Sequence, residues 1–269
     1  MIGKMDTGRS DVPASGLERW LLISRLLASY DTRGLSVSEM STRTKLPMTT
    51  VHRLVGEMVR LRLATRLPCR KRYVLGAMTF ELGLAASNLY DLRSGSTRLL
   101  QTLSEATGMP AYFFGRSGTE SVCLGFHEPR QHDSTVTLKL GGRRPLGIGA
   151  AGLAILAKLS DPELARVLEC HSDDWGKYGG MTAARVGELV TETRRLGYAA
   201  SGGCIHRNTA AVGVAILDPQ MRIRGAVSVS STVARLRRAE SNQLAGLLRN
   251  AVEVSGLVQL LNRGELDVL

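Results

Sequence analysis

Residues 46–76 read LPMTTVHRLVGEMVRLRLATRLPCRKRYVLG, and this stretch limits what the chain can fold into more than any other. Pro47 stands where a helix begins, because its missing N–H costs nothing in the first turn and its fixed φ suits that turn. Val51, Leu54, Val55 and Met58 then fall at i, i+3, i+4 and i+7, one buried helical stripe. Thr49, Thr50, His52, Arg53, Glu57 and Arg60 occupy the opposite face. LATRL and KRYVL read as short strands around the turn Pro68-Cys69-Arg70-Lys71-Arg72. A polar-faced helix followed by a basic two-stranded ribbon is the pattern of a winged helix-turn-helix. Its recognition helix lies in a DNA major groove while its apolar side packs on its own domain.

Charge points to the same partner. The 269 residues carry 35 Lys+Arg against 24 Asp+Glu, a net +11. The excess is concentrated: residues 1–90 hold 14 basic and 7 acidic side chains, residues 91–269 hold 21 and 17. Between Arg43 and Arg72 nine basic residues stand against the single acid Glu57. A dense basic segment on a small polar-faced domain is the footprint of a polyanion. At the start of the recognition helix, Met48, Thr49, Thr50, His52 and Arg53 are the candidates for reading base edges. Arg70, Lys71 and Arg72, placed at the wing tip, are the candidates for phosphates or the minor groove.

The run PMTTVHRL, followed by RYVLG and later ELG, resembles the DNA-binding domain of the IclR family of bacterial transcriptional regulators. The resemblance extends over nearly the whole chain, from about Gly16 to about Leu260. One departure follows the recognition helix, where the family usually has glycine in the helix-ending turn and this chain has Arg62. Arginine adopts φ > 0 poorly, so that turn is expected to be strained or built differently.

Around the motif, residues 1–15 read as a disordered polar leader and 16–76 as the winged domain. Leu17–Tyr30 is an amphipathic helix with Leu21, Leu22, Leu26 and Leu27 on one side, and Ser36 or Ser38 caps the next helix, VSEMSTRTK. Residues 77–108 form a long connector helix bearing Phe80, Leu82, Leu89 and Leu92, with a break at Gly95. Residues 109–269 are a second domain. AYFFGR and ESVCLGF flank Ser117-Gly118-Thr119 as a hairpin, and STVTLKL is a third strand. Helices follow at Gly149–Leu159, from Asp161-Pro162, and at Thr182–Leu196 with Thr182 as cap. YAASGG, TAAVGVAIL and IRGAVSVSS are strands with a turn at Asp218-Pro219, and a last helix runs from Glu240 to Leu261. Strands grouped with helices between them describe an α+β domain around an antiparallel sheet.

Catalysis finds no support. GxSxG, HExxH and a P-loop are missing, the glycine-rich GRRPLGIGAAG lacks the lysine-Ser/Thr end of a phosphate loop and precedes an apolar helix, and the two pairs Cys204/His206 and His127/His132 do not close a metal site. No catalytic residue, metal or cofactor is expected. Apolar runs are too short to span a membrane, and the N-terminus lacks the apolar core of a signal peptide, so a cytoplasmic location with free cysteines is expected.

For the second domain the family resemblance implies a GAF-like α/β effector-binding fold with a pocket over its sheet. Carried over by position, Gly149, Ala150, Ala151, Ser201, Cys204, Ala211, Ser228 and Ser230 would face a small-molecule effector. Ser228 and Ser230 alternate and so share one side of a strand. Two hydroxyls with helix N-terminal amides suit a carboxylate. Ser201 and Cys204 stand where relatives have acidic residues, which favours a bulkier or more apolar acid, an aromatic or hydroxy acid, over a small oxo-acid. The expectation is a homodimer or tetramer that binds double-stranded operator DNA under effector control. Two alternatives stay open: a metabolite-binding protein or enzyme with an appended nucleic-acid domain, and a winged module for RNA or protein.

Overall fold

Ser15 and Ser36 each open a helix with a capping box, the serine hydroxyl accepting from the amide three residues on and that residue's glutamate reaching back to the serine N–H. The first starts α1 (Gly16–Ala28) and the second α2 (Val37–Thr44). The structure, a computed structural model, describes residues 15–30, 33–68, 71–87, 92–129, 138–172, 174–236 and 238–257. Of the expected leader, residues 1–14 lie outside these, and Ser15 belongs to the cap of α1. The chain divides into two compact units, residues 1–88 and 89–269.

In the first unit α3 (Met48–Arg60) follows α2, then the antiparallel pair β1 (Ala64–Arg66) and β2 (Tyr73–Leu75), then α4 (Ala77–Ser87). The expected stripe of α3 is buried, with Val51, Leu54, Val55 and Met58 joining Met40, Leu46 and Ala64 in one core. For α1 the expectation was off by part of a turn: Ile23 and Leu27 are the buried residues, while Leu21, Leu22 and Leu26 are half-buried. The apolar face that counts is set by where α1 meets the other elements, which helical spacing within α1 does not contain.

The expected connector is two helices among the described residues, α4 in the first unit and α5 (Leu92–Thr107) in the second, with 88–91 outside the description. Gly95 lies inside α5 and marks no break. Burial of Leu99, Leu100 and Leu103 against the sheet outweighs the ~1 kcal/mol that glycine costs a helix.

The second unit is built on a six-stranded antiparallel sheet. In chain order its elements are β3 (Ala111–Ser117), β4 (Glu120–His127), β5 (Arg143–Pro145), α6 (Gly149–Leu156), α7 (Asp161–Cys170), α8 (Ala183–Leu196), β6 (Ala199–Gly202), β7 (Thr209–Leu217), β8 (Ile223–Thr232) and α9 (Arg238–Val254). The sheet order is β5-β4-β3-β8-β7-β6. Among the described residues the third strand is Arg143–Pro145; of the expected STVTLKL, residues 134–137 lie outside the description and 138–140 form no strand. α6 ends at Leu156, short of Leu159, and α9 ends at Val254, before Gly256 at φ 65°.

Alternation along the strands gives the sheet two buried faces. Phe113, Val212, Val214, Val227 and Val229 point to α5 and α9. Tyr112, Phe114 and Ala226 point to the other side, where α6 and α8 pack. Gly213 lets α6 come close: a methyl group there would stand 2.9 Å from the carbonyl carbon of Ala150 and 3.0 Å from the amide of Ala151.

Candidate functional site

In the first unit the candidate surface is the start of α3. Met48, Thr49, His52 and Arg53 are exposed, whereas Thr50 is half-buried. Pro47 is the N-cap and offers no side-chain acceptor, so the first amides of α3 are uncapped by any side chain. Arg53 is held on the surface by Glu57, one turn on, at 2.8 Å. Arg62, in the turn after α3, does adopt φ 61°; its carbonyl accepts from Met78 N–H and its guanidinium pairs with Glu81 at 2.6 Å.

The wing differs from expectation at one arginine. Lys71 is exposed and Arg70 lies outside the described residues; Arg72 is at the loop end of the ribbon, where its carbonyl accepts from the Leu67 N–H, but its side chain turns back into the domain. Its Nε donates to Arg33 O at 2.9 Å and its Nη2 donates to Gly34 O at 3.0 Å and to Glu39 Oε1 at 2.9 Å. Those donors lock β2 to α2 and are spent within the domain. Glu39, which also accepts from the Ser36 N–H and hydroxyl, is held at about 2 from an ordinary 4.5, Ser36 contributing most and Arg72 next.

In the second unit one small cavity of about 40 Å³ gathers Gly149, Ala150, Ala151, Ser201, Cys204, Ala211, Ser228 and Ser230. Sheet register explains this: Ser228 lies between Tyr112 of β3 and Gly213 of β7, and Ser230 lies beside Ala211. The N-terminus of α6, which has no side-chain cap, closes the cavity over Gly213. A larger open groove of about 460 Å³ runs along β6 and α8 and shares Ser201, Cys204, Ala210 and Ala211 with the small cavity. We take the small cavity as the candidate site because the polar groups converge there.

Among the lining residues that sequence reasoning missed are Arg144 and Tyr112. Arg144, 9% exposed, enters the cavity from β5, while Arg143 turns the other way to Glu120 at 2.9 Å and to the Ser117 hydroxyl at 2.6 Å. Burial lowers the Arg144 pKa, and the ionisable groups around it that favour its charge are Tyr178, Cys204, Tyr112 and Cys123. Tyr112, 3% exposed, lines the same cavity, and its hydroxyl has no hydrogen-bond partner among the described residues. The alternation in AYFFGR was the available sign for Tyr112. For Arg144 there was none, because GRRPLGIG reads as a glycine-rich loop.

Among the described residues no group of three or more His, Cys, Asp or Glu is placed to hold a metal, and no helix is long and apolar enough to cross a membrane.

Known proteins match both units. Residues 85–255 match the family described as bacterial transcriptional regulator IclR C-terminal, and residues 16–68 match the IclR helix-turn-helix domain. The HTH-type transcriptional regulator KipR of Bacillus subtilis is 25% identical over 75% of this chain and 80% of its own. The glycerol operon regulatory protein of Streptomyces coelicolor is 25% identical over 82% and 86%. In fold the chain is similar to an IclR-type regulator from Alicyclobacillus acidocaldarius, with TM-score 0.73 and 22% identity over 90% of this chain and 98% of that one. An IclR homolog from Microbacterium hydrocarbonoxydans, solved in complex with 4-hydroxybenzoate, gives TM-score 0.68 and 21% identity over 90% and 99%.

Proposed function

This chain belongs to the IclR family of bacterial transcriptional regulators, whose helix-turn-helix binds DNA, and on that premise we propose that it recognises a specific duplex operator as a homodimer or tetramer and responds to a small organic acid. The observation that carries the DNA half is the split of α3 into a fully buried stripe and an exposed start bearing Met48, Thr49, His52 and Arg53. Those side chains are free of packing duty and lie at the end of the helix that reaches base edges. The uncapped amides of α3 suit a phosphate oxygen, as does exposed Lys71 on the wing, with Arg70 as its proposed companion.

The effector half rests on the cavity under α6. Its volume of about 40 Å³ has room for about three water-sized groups, which suits a small carboxylate. An aromatic acid such as the one held by the Microbacterium relative would require the wall at Ile205 to move outward. Ligand in the cavity would bias the arrangement of the DNA-binding units. It can shift operator occupancy only by its differential affinity for the two arrangements, typically about 1–3 kcal/mol.

The test is a titration of the full-length chain at moderate salt against duplex DNA, duplex RNA and single-stranded DNA. Duplex DNA should be bound most tightly. Equal or tighter binding of RNA or of single strands would contradict the reading.

A further inference from the structure

Cys204 opens onto two spaces at once. It lines the cavity of about 40 Å³ under α6 and the open groove of about 460 Å³ along α8. Small molecules can therefore reach it from solvent, and the residue is half-buried rather than sealed in the core. The turn that carries it is closely backed: a methyl group on Gly179 would stand 2.8 Å from Gly203 O and 3.1 Å from Cys204 Cα. Tyr112 forms another part of the cavity wall. It is 3% exposed, and its hydroxyl has no hydrogen-bond partner among the described residues, although buried hydroxyls nearly always have one. Its ring packs against Phe114 and Phe126, with centroids 6.2 Å away in each case, so the hydroxyl is held in place before any ligand arrives. The start of α6 borders the same space without a side-chain cap. A nucleophile reachable from solvent thus shares a cavity with a fixed and unused hydrogen-bond donor.

We propose that Cys204 is a covalent modification site for small α,β-unsaturated carbonyl compounds, with Tyr112 as the donor to their carbonyl oxygen. In this step the thiol gives its proton to water and the sulfur attacks the β-carbon, forming a C–S bond. The C=C electron pair moves toward the carbonyl, whose oxygen becomes an enolate and accepts a hydrogen bond from the Tyr112 hydroxyl. Water then returns a proton to the α-carbon. The sum is addition of S–H across the double bond, with no leaving group, oxidant or reductant. Phe114, Ile148 and Ala150 on the remaining walls suit a short carbon chain, and the groove takes any longer tail. Two other cysteines serve as internal comparisons. Cys170 is also half-buried but lines neither space, and Cys123 is fully buried, with its thiol pushed up by burial to about 12. The addition needs Cys204 and Tyr112 alone, whether or not the cavity also accepts an organic acid.

The experiment treats the full-length protein with methyl vinyl ketone, a small α,β-unsaturated ketone, and separately with iodoacetamide, which alkylates thiols by displacing iodide and forms no enolate. Peptide mass spectrometry follows the labelling of each cysteine with time. Methyl vinyl ketone should label Cys204 at least about tenfold faster than Cys170, and the same ratio should be smaller with iodoacetamide. Tyr112→Phe keeps the ring contacts; it should slow ketone addition at Cys204 by about tenfold or more and leave its iodoacetamide rate within about twofold. Cys204→Ser should remove the fast adduct from the intact mass. Equal ketone rates at Cys204 and Cys170, or a Cys204-to-Cys170 ratio no larger for the ketone than for iodoacetamide, overturn the proposal. So does a Tyr112→Phe variant that slows both reagents alike or neither. If Tyr112→Phe does not fold, the two wild-type ratios decide alone. DNA binding by the chain is independent of every one of these outcomes.

Discussion

Arg72 Nη2 donates to Glu39 Oε1 at 2.9 Å across 33 positions of sequence, fastening the loop end of the wing to the first turn of α2. Glu39 is at the same time the N3 partner of Ser36 in a capping box. One carboxylate therefore starts α2 and orients the ribbon that follows α3.

That arrangement has an acid signature. Glu39 titrates at about 2 in the folded chain against an ordinary 4.5. A depressed carboxylate stabilises fully above its unfolded value and loses that contribution as pH falls through its folded value. Glu39→Gln should therefore flatten the decline of the first unit's melting temperature between about pH 4.5 and 2. At pH 7 the loss should be modest, because the carboxylate is 38% exposed and exposed pairs are worth about 0–1 kcal/mol. Parallel melting curves for variant and wild type across that pH range would sink the idea.

Arg53 and Glu57 form an exposed pair on α3, worth about 0.3–0.5 kcal/mol at such sites. Binding duplex DNA should break it easily. Glu57→Gln should tighten binding to every duplex a few-fold, by releasing Arg53 and removing a negative charge beside the phosphates. Arg53→Ala should cost about 1–3 kcal/mol on a specific site if it reads a guanine. Fluorescence anisotropy on specific and random duplexes separates the cases: equal loss on both reduces Arg53 to a phosphate contact.

At the end of α3, Arg62 holds φ 61°, a conformation that costs a residue with a side chain about 1–2 kcal/mol. Arg62→Gly relieves that strain and forfeits only the exposed pair with Glu81. The melting temperature of the first unit should rise by a few degrees. The neighbouring Gly76 has no such freedom, because a methyl group there would lie 2.2 Å from the Arg62 carbonyl oxygen. A fall in stability for Arg62→Gly would mean that the Glu81 pair outweighs the strain.

These contrasts show what sequence patterns carry and what they omit. The α3 stripe, the Ser36 and Thr182 caps, and the alternation of Ser228 with Ser230 are local, set by spacing over a few residues, and they were legible. Arg144 was not. It stands in a strand of three residues whose inward face is decided by pairing with Ser121, more than twenty positions away. The inward turn of the Arg72 side chain was hidden for the same reason, since Gly34 and Glu39 capture it from outside the wing. Gly95 gave a break signal that packing of α5 on the sheet overrode.

Gly213 ties the second unit's fold to its cavity. Gly213→Ala would push a methyl into the Ala150–Ala151 peptide, with contacts of 2.9–3.0 Å, so α6 must move off the sheet. Overpacking of this kind typically costs about 1–3 kcal/mol. Because the same peptide borders the cavity, the variant should also lose binding of any acid that wild type accepts. An unchanged affinity together with an unchanged melting temperature would show that α6 does not shape the site.

The central claim, that the start of α3 reads duplex sequence, is tested most directly by selecting bound fragments from a random duplex pool with the full-length chain and with Thr49→Ala, Arg53→Ala in parallel. Wild type should enrich one motif with two-fold character, and the variant should lose that enrichment while binding random duplex within a few-fold of wild type. The claim is contradicted if wild type enriches no motif, or if the variant enriches the same one as strongly.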